Sequence, residues 1–171
     1  MTEKTIKTVV IGLGNPILSD DSVGIRVSRE VRERLKCGQG SGSAADNVDV
    51  KELYAGGIRL MDAITGYDKA VIVDAMVTGR FRPGEVCELS AADLCPTRNI
   101  LCTHDTNLNT ALEFGRMMEL HLPHDIQIFG IEAVDVTSFS ETLTNDVRPA
   151  VSVAADAILK KLDENSDREA A

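Results

Sequence analysis

The chain has 171 residues, 43% of them hydrophobic and only 4% aromatic, with 27 acidic against 18 basic side chains and a formal charge of −9. That length fits one domain, able to bury about 70% of its unfolded surface without disulfides or a structural metal. The negative balance offers no global attraction for nucleic acid or anionic lipid, and no apolar run approaches membrane-spanning length.

The start, MTEKTIK, is polar and lacks an apolar signal segment, so a cytoplasmic chain is expected. Residues 6–11, IKTVVI, read as a strand that runs into the turn GLGNPILSDDSVG at 12–24. Val23, Val27, Val31 and Leu35 then recur at helical spacing among charges. Arg26, Arg29, Arg32 and Arg34 are interleaved there with Glu30 and Glu33, which reads as a solvated helix face and not as a phosphate-binding stripe. GQGSGSAADN (38–47) is a flexible connection.

VDVKELY (48–54) alternates like a half-buried strand, and Gly56–Gly57 break it ahead of a short helix over IRLMDAI. KAVIVDAM (69–76) is a continuous apolar run, the pattern of a strand covered on both faces. GEVCELS (84–90) is a further short strand. Leu108, Ala111, Leu112, Met118 and Leu122 place a helix between Asp105 and about His121, and DIQIFGIE (125–132) is the last strand. Asp146 suits the cap of a final helix with Pro149 in its first turn and a stripe of Val147, Val151, Ala154, Ile158 and Leu162. The domain is expected over 1–163, with 164–171 as a flexible tail. The alternation predicts a single-domain three-layer α/β/α sandwich. Its twisted, mostly parallel sheet should have about five strands with helices on both faces, and functional groups beyond the strands' carboxyl ends.

The glycine turn admits three readings. Dinucleotide binding would need a third glycine where Ile17 stands, and Asp20 and Asp21 would face the pyrophosphate. Peptidyl-tRNA hydrolases share the opening GLGNP, but no histidine precedes His104 and a negative chain suits tRNA poorly. The third reading makes the carboxylates the purpose of the turn. Asp21 follows the first strand, Asp74 closes VIVD, and His104 lies in LCTHDTNL just before a helix. Two oxygens and one imidazole from three crossovers would make an open site for a borderline divalent ion.

Each of these residues has a plainer use. A helix cap is the expected use of Asp20, and Asp21 could complement the helix dipole. Asp74 needs a partner wherever it is buried. His104 alone would be an ordinary histidine, as His121 and His124 are expected to be. Gly12, Gly14 and Gly24 suit tight backbone geometry, and Asn15 suits a turn organised by its side chain. Cys37, Cys87, Cys95 and Cys102 have no C-x-x-C spacing and are expected to be idle, although Cys102 with His104 is a minor soft-metal candidate.

The ordered segments GLGNPILSDDSVG, VIVDA, THDTNL and IFGIE resemble those of the nickel–iron hydrogenase maturation endopeptidases, over about residues 6 to 162. The resemblance implies a cytoplasmic, aspartyl-type endopeptidase that removes the C-terminal extension of a hydrogenase large-subunit precursor. It implies nickel presented by that substrate, no organic cofactor, and Asp21, Asp74 and His104 as both metal-binding and catalytic residues. A monomer without nucleic-acid or membrane partners is expected. Many members carry an acid just before the glycines that follow the second strand, where this chain has Tyr54–Ala55. The group that activates water stays open between Asp21, Asp74 and a water on the metal. The competing reading is a non-catalytic nickel-binding maturation factor, against which stands the lack of a histidine-rich tract or thiol cluster.

Overall fold

A computed structural model describes residues 6–38, 47–54, 56–90 and 108–169. Strand β1 spans Thr8–Leu13, and every residue of it is buried. A 3-10 turn at Asp20–Ser22 leads into helix α1, Val23–Lys36. Then follow β2 (Val48–Leu53), α2 (Gly57–Ile64), β3 (Lys69–Met76), β4 (Val86–Ser90), α3 (Leu108–Met117), β5 (Asp125–Glu132) and α4 (Ala150–Glu169).

The five strands form one sheet in the order β2-β1-β3-β5-β4, parallel except for β4, which runs antiparallel to β5. Side-chain alternation along the central strands sorts them onto two faces. Val10, Val71, Val73, Phe129 and Ile131 pack under α1 and α4. Val9, Ile11, Leu13, Ala70, Ile72 and Ile128 pack under α2 and α3. The expected three-layer sandwich is therefore the observed one.

The differences lie at element ends. β1 continues through Gly12 to Leu13, because the glycine lies under α1 and not in the turn. β4 starts at Val86, since Gly84 has a φ of 78° and forms the turn, its N–H donating to the Glu132 carbonyl at 2.8 Å. α3 stops at Met117 because Glu119 turns left-handed at φ 56°, and the Leu120 N–H closes onto the Gly115 carbonyl at 3.0 Å. Pro149 stands just ahead of α4 and not inside its first turn. The segment before it is shaped by N–H donation from Arg148 to the Thr144 carbonyl and from Ala150 to that of Val147. α4 runs on to Glu169, into the segment read as a tail.

The arginines of α1 lie on a partly exposed face, as expected, and also tie elements of the fold together. Arg29 and Arg32 hold Glu52 of β2 at 2.8 and 2.9 Å, and Arg34 bridges Glu30 and Asp156 of α4. Hydrogen bonding from Arg29, then from Arg32, lowers the Glu52 pKa below its ordinary value.

What seats α1 is its second residue. A Cβ on Gly24 would stand 2.3 Å from the Leu13 carbonyl oxygen and 2.4 Å from that of Val73, so the helix rests directly on the end of β1 and on the backbone of β3. Gly12 faces it, where a Cβ would meet the Gly24 carbonyl oxygen at 2.2 Å. Neither contact can relax by a rotamer change, because both obstacles are backbone. Gly24→Ala should therefore destabilise the protein by about 3 kcal/mol or more, as overpacking against fixed atoms does. Gly38, at φ 76° with nothing within 4 Å, should lose only about 1 kcal/mol on change to alanine. Denaturant unfolding of the two variants measures both, and equal small losses would refute the seat.

Candidate active site at the carboxyl edge of the sheet

The chain leaves β1 for β2 on one side and returns across it to β3 on the other. The gap beyond β1 and β3 is thus the topological switch point, where α/β sheets place their chemistry. Asp21 and Asp74 both lie at this edge. Asp74 is fully buried, near the end of β3, and its alternation places it on the α2 and α3 face. Its neighbour in register on β5 is Gly130, so no side chain stands beside it from that strand.

Asp21 is 2% exposed and reaches the edge through the turn after β1. Gly14 makes that turn possible. Its φ is 145°, and a Cβ there would stand 1.9 Å from the Asp21 carbonyl oxygen. The Asn15 N–H then donates to Asp21 Oδ2 at 2.9 Å, while Asn15 Oδ1 accepts from the Ile17 N–H at 3.2 Å, the turn-organising role expected of it.

Asp20 is not a helix cap, which corrects the sequence reading. Its carboxylate is fully buried and points away from α1 into the β5–α4 loop. Oδ2 accepts from the Val134 and Asp135 N–H groups, each at 3.0 Å, and from Thr144 Oγ1 at 2.9 Å. Oδ1 accepts from the Thr144 N–H at 2.8 Å. One charge therefore pins residues separated by more than a hundred positions, so local sequence could not announce it.

Glu132 is a second buried acid that the sequence reading passed over, although its segment IFGIE was singled out. It closes β5 as Asp74 closes VIVD, at 3% exposure. Its oxygens accept from the Thr78 N–H at 2.8 Å, the Gly79 N–H at 2.7 Å and Thr78 Oγ1 at 2.7 Å. It thereby fixes the chain that leaves β3 just past Asp74. The available signal was an acid ending an apolar strand, and that signal marks both residues alike.

His104, Cys95, Cys102 and Ala55 lie outside the described residues. Among the described residues, no group of three His, Cys, Asp or Glu side chains could hold a metal ion. Cys37 is exposed and Cys87 half-buried, both as free thiols. His121 sits 3.3 Å from Asp68, the ordinary structural role expected for it. Tyr54, of the Tyr54–Ala55 pair ahead of the glycines, is 62% exposed. A groove of about 570 Å³, lined in part by Arg26, Glu30, Glu141 and Arg148, opens between α1 and the start of α4, with neither Asp21 nor Asp74 in its lining.

Asp20→Ala should cost about 3 kcal/mol or more, because several buried donors lose a charged acceptor together. Asp21→Asn, which keeps a carbonyl for the Asn15 N–H, should stay within about 1 kcal/mol of the parent. Chemical denaturation separates the two, and equal stabilities would refute the division of labour. Hydrogen bonds from Ser138, then from the Thr137 N–H, hold the Asp135 carboxyl down to about 2. A depressed folded pKa contributes stability above the ordinary value near 3.9, and that contribution is lost as pH falls through about 2. Carboxyl-carbon NMR should therefore show Asp135 still ionised at pH 3, and a midpoint near 4 would refute the ordered loop.

Comparison with known proteins follows the same lines. The hydrogenase expression/formation protein HupD of Rhizobium leguminosarum bv. viciae is 22% identical over 158 residues, covering 91% of this chain and 74% of HupD. The hydrogenase maturating endopeptidase HybD from E. coli superposes with a TM-score of 0.75 at 20% identity, covering 94% of each chain. The maturation protease HycI from Thermococcus kodakarensis KOD1 gives 0.66 at 20% identity, over 91% of this chain and 92% of that one. These structural likenesses establish the fold. Residues 25–161 match the family model of the hydrogenase maturation proteases, a stretch that contains Asp74 and His104 and begins just past Asp21. The chain belongs to the hydrogenase maturation protease family, and is an endopeptidase of hydrogenase maturation.

Proposed function

We propose that the protein removes the C-terminal extension of a nickel–iron hydrogenase large-subunit precursor once nickel is in place, and that Asp21, Asp74 and His104 recognise that nickel. The observation that carries the reading is the burial of two carboxylates, Asp21 and Asp74, at the switch point of a maturation-protease fold. Asp20 and Glu132, the other two buried acids at this edge, hold loops in place around it. α3 begins at Leu108 on the Asp74 face, with His104 shortly before it in sequence.

In this reading nickel is part of the substrate, held by the precursor's own thiolates near the scissile bond. Two carboxylate oxygens and an imidazole occupy its remaining positions without competing as thiolates would. Their contribution is proximity and orientation of the peptide to be cut. Asp21 and Asp74 are also the groups suited to take a proton from the attacking water. The protein acts as a monomer in the cytoplasm and needs no organic cofactor.

Purified precursor, with and without nickel, is incubated with the protein and its tail followed by mass spectrometry. Loss of the tail only from the nickel-loaded form is expected. Equal cleavage of both forms would remove nickel recognition, and cleavage of neither would remove the substrate assignment. Asp21→Asn, Asp74→Asn and His104→Ala should each lower processing at least a hundredfold, roughly the effect of removing a catalytic acid–base or orienting group. All three must keep the parent's thermal unfolding, and parental rates in all three would remove the site.

A further inference from the structure

Among the described residues, eleven large hydrophobic side chains are exposed. Phe114, Met117 and Val153 lie on α3 and α4, and Met118 just past the end of α3. The others lie on the loops and the α2 start at the carboxyl edge of the sheet, the edge that holds Asp21 and Asp74. Tyr54 and Ile58 follow β2, Val77 and Phe81 follow β3, and Ile17, Val134 and Phe139 come from the turn after β1 and the loop after β5.

The last three stand on backbone that is tied down. Leu18 and Phe139 form an isolated antiparallel bridge. The Ser19 N–H donates to the Ser138 carbonyl and the Ser140 N–H to that of Ile17, each at 3.1 Å. Beneath them the Asp20 carboxylate holds Val134, Asp135 and Thr144. A loose loop would fold its phenylalanine back onto apolar surface. This one is fixed at both ends of the bridge and leaves Phe139 84% exposed, with Ile17 50% exposed beside it. A rigid, exposed aromatic with apolar neighbours has the character of an interface anchor, since its ordering entropy is lost before any partner arrives.

We infer that Ile17, Val134 and Phe139 form an apolar anchor that grips the folded body of the protein substrate next to its cleavable chain end. The inference rests on the proposed processing of a hydrogenase precursor and names the surface that selects it. A second copy of this chain is the weaker occupant, because seated there it would cover the edge that must admit the substrate.

The test is steady-state processing of nickel-loaded precursor by the parent, Phe139→Ser, Ile17→Ser and Val153→Ser. An anchor binds ground state and transition state alike, so its loss raises KM and spares kcat. Phe139→Ser is expected to raise KM about tenfold or more and Ile17→Ser about threefold or more, with kcat within about twofold. Val153→Ser, an exposed apolar residue on α4 and outside the anchor, should leave both constants unchanged. Thermal unfolding of each variant should match the parent, and Ile17→Ser tests the same anchor from the opposite loop should Phe139→Ser fold poorly. Parental KM in both rim variants, with the parent active, would overturn the anchor and leave the processing role intact. A parent dimer that Phe139→Ser dissolves without changing KM would overturn it in favour of self-association. No processing by the parent would overturn the functional reading and the anchor with it.

Discussion

The first turn of α1 lies on the end of β1 and on the backbone of β3 with only hydrogen atoms between, because positions 12 and 24 are both glycine. That approach sets where the chain from β1 can run, and so where the 3-10 turn at Asp20–Ser22 must lie. It places one aspartate, Asp21, at the switch point beside β3, and directs its neighbour Asp20 the other way. With any side chain at Gly24, α1 would have to lift away from two backbone carbonyls, and the acidic turn would lift with it.

Four buried acids at this edge show how one functional group serves different ends. Asp20 and Glu132 are loop anchors, each surrounded by backbone N–H groups and a threonine hydroxyl. Glu132 holds the chain that leaves β3 and Asp20 the chain that leaves β5. A carboxylate is well suited to this work, since it accepts several donors at once and its hydrogen bonds are charge-assisted. Asp21 and Asp74 share the edge with these anchors, buried beyond β1 and near the end of β3.

The arrangement bears on how a protease with so few aromatic residues can be selective. Its carboxyl edge carries the buried acids Asp21 and Asp74, and exposed apolar side chains lie on the loops and the α2 start at the same edge. The opposition of buried charge and exposed apolar surface reverses the usual distribution on a globular protein. In the function proposed above, such an edge receives a large folded substrate, recognised by its metal and its surface, and not an extended peptide drawn into a side-chain groove.

How much of this was legible in the residues depends on range. Apolar periodicity decided the strands and helices, so that 69–76 and 125–132 were found with their observed bounds, because period-2 and unbroken apolar runs reflect burial directly. The acidic turn, VIVD and the ordered motifs were enough to indicate the family, since each lies within a few consecutive residues. Element ends were less legible. They depend on left-handed residues such as Glu119 and on hydrogen bonds made elsewhere. Only the tertiary structure separated Asp20 from Asp21, adjacent in the chain and alike in chemistry. The partners of Asp20 lie in a loop more than a hundred residues away, and which of two neighbouring carboxylates turns toward that loop is decided by packing, not by local pattern.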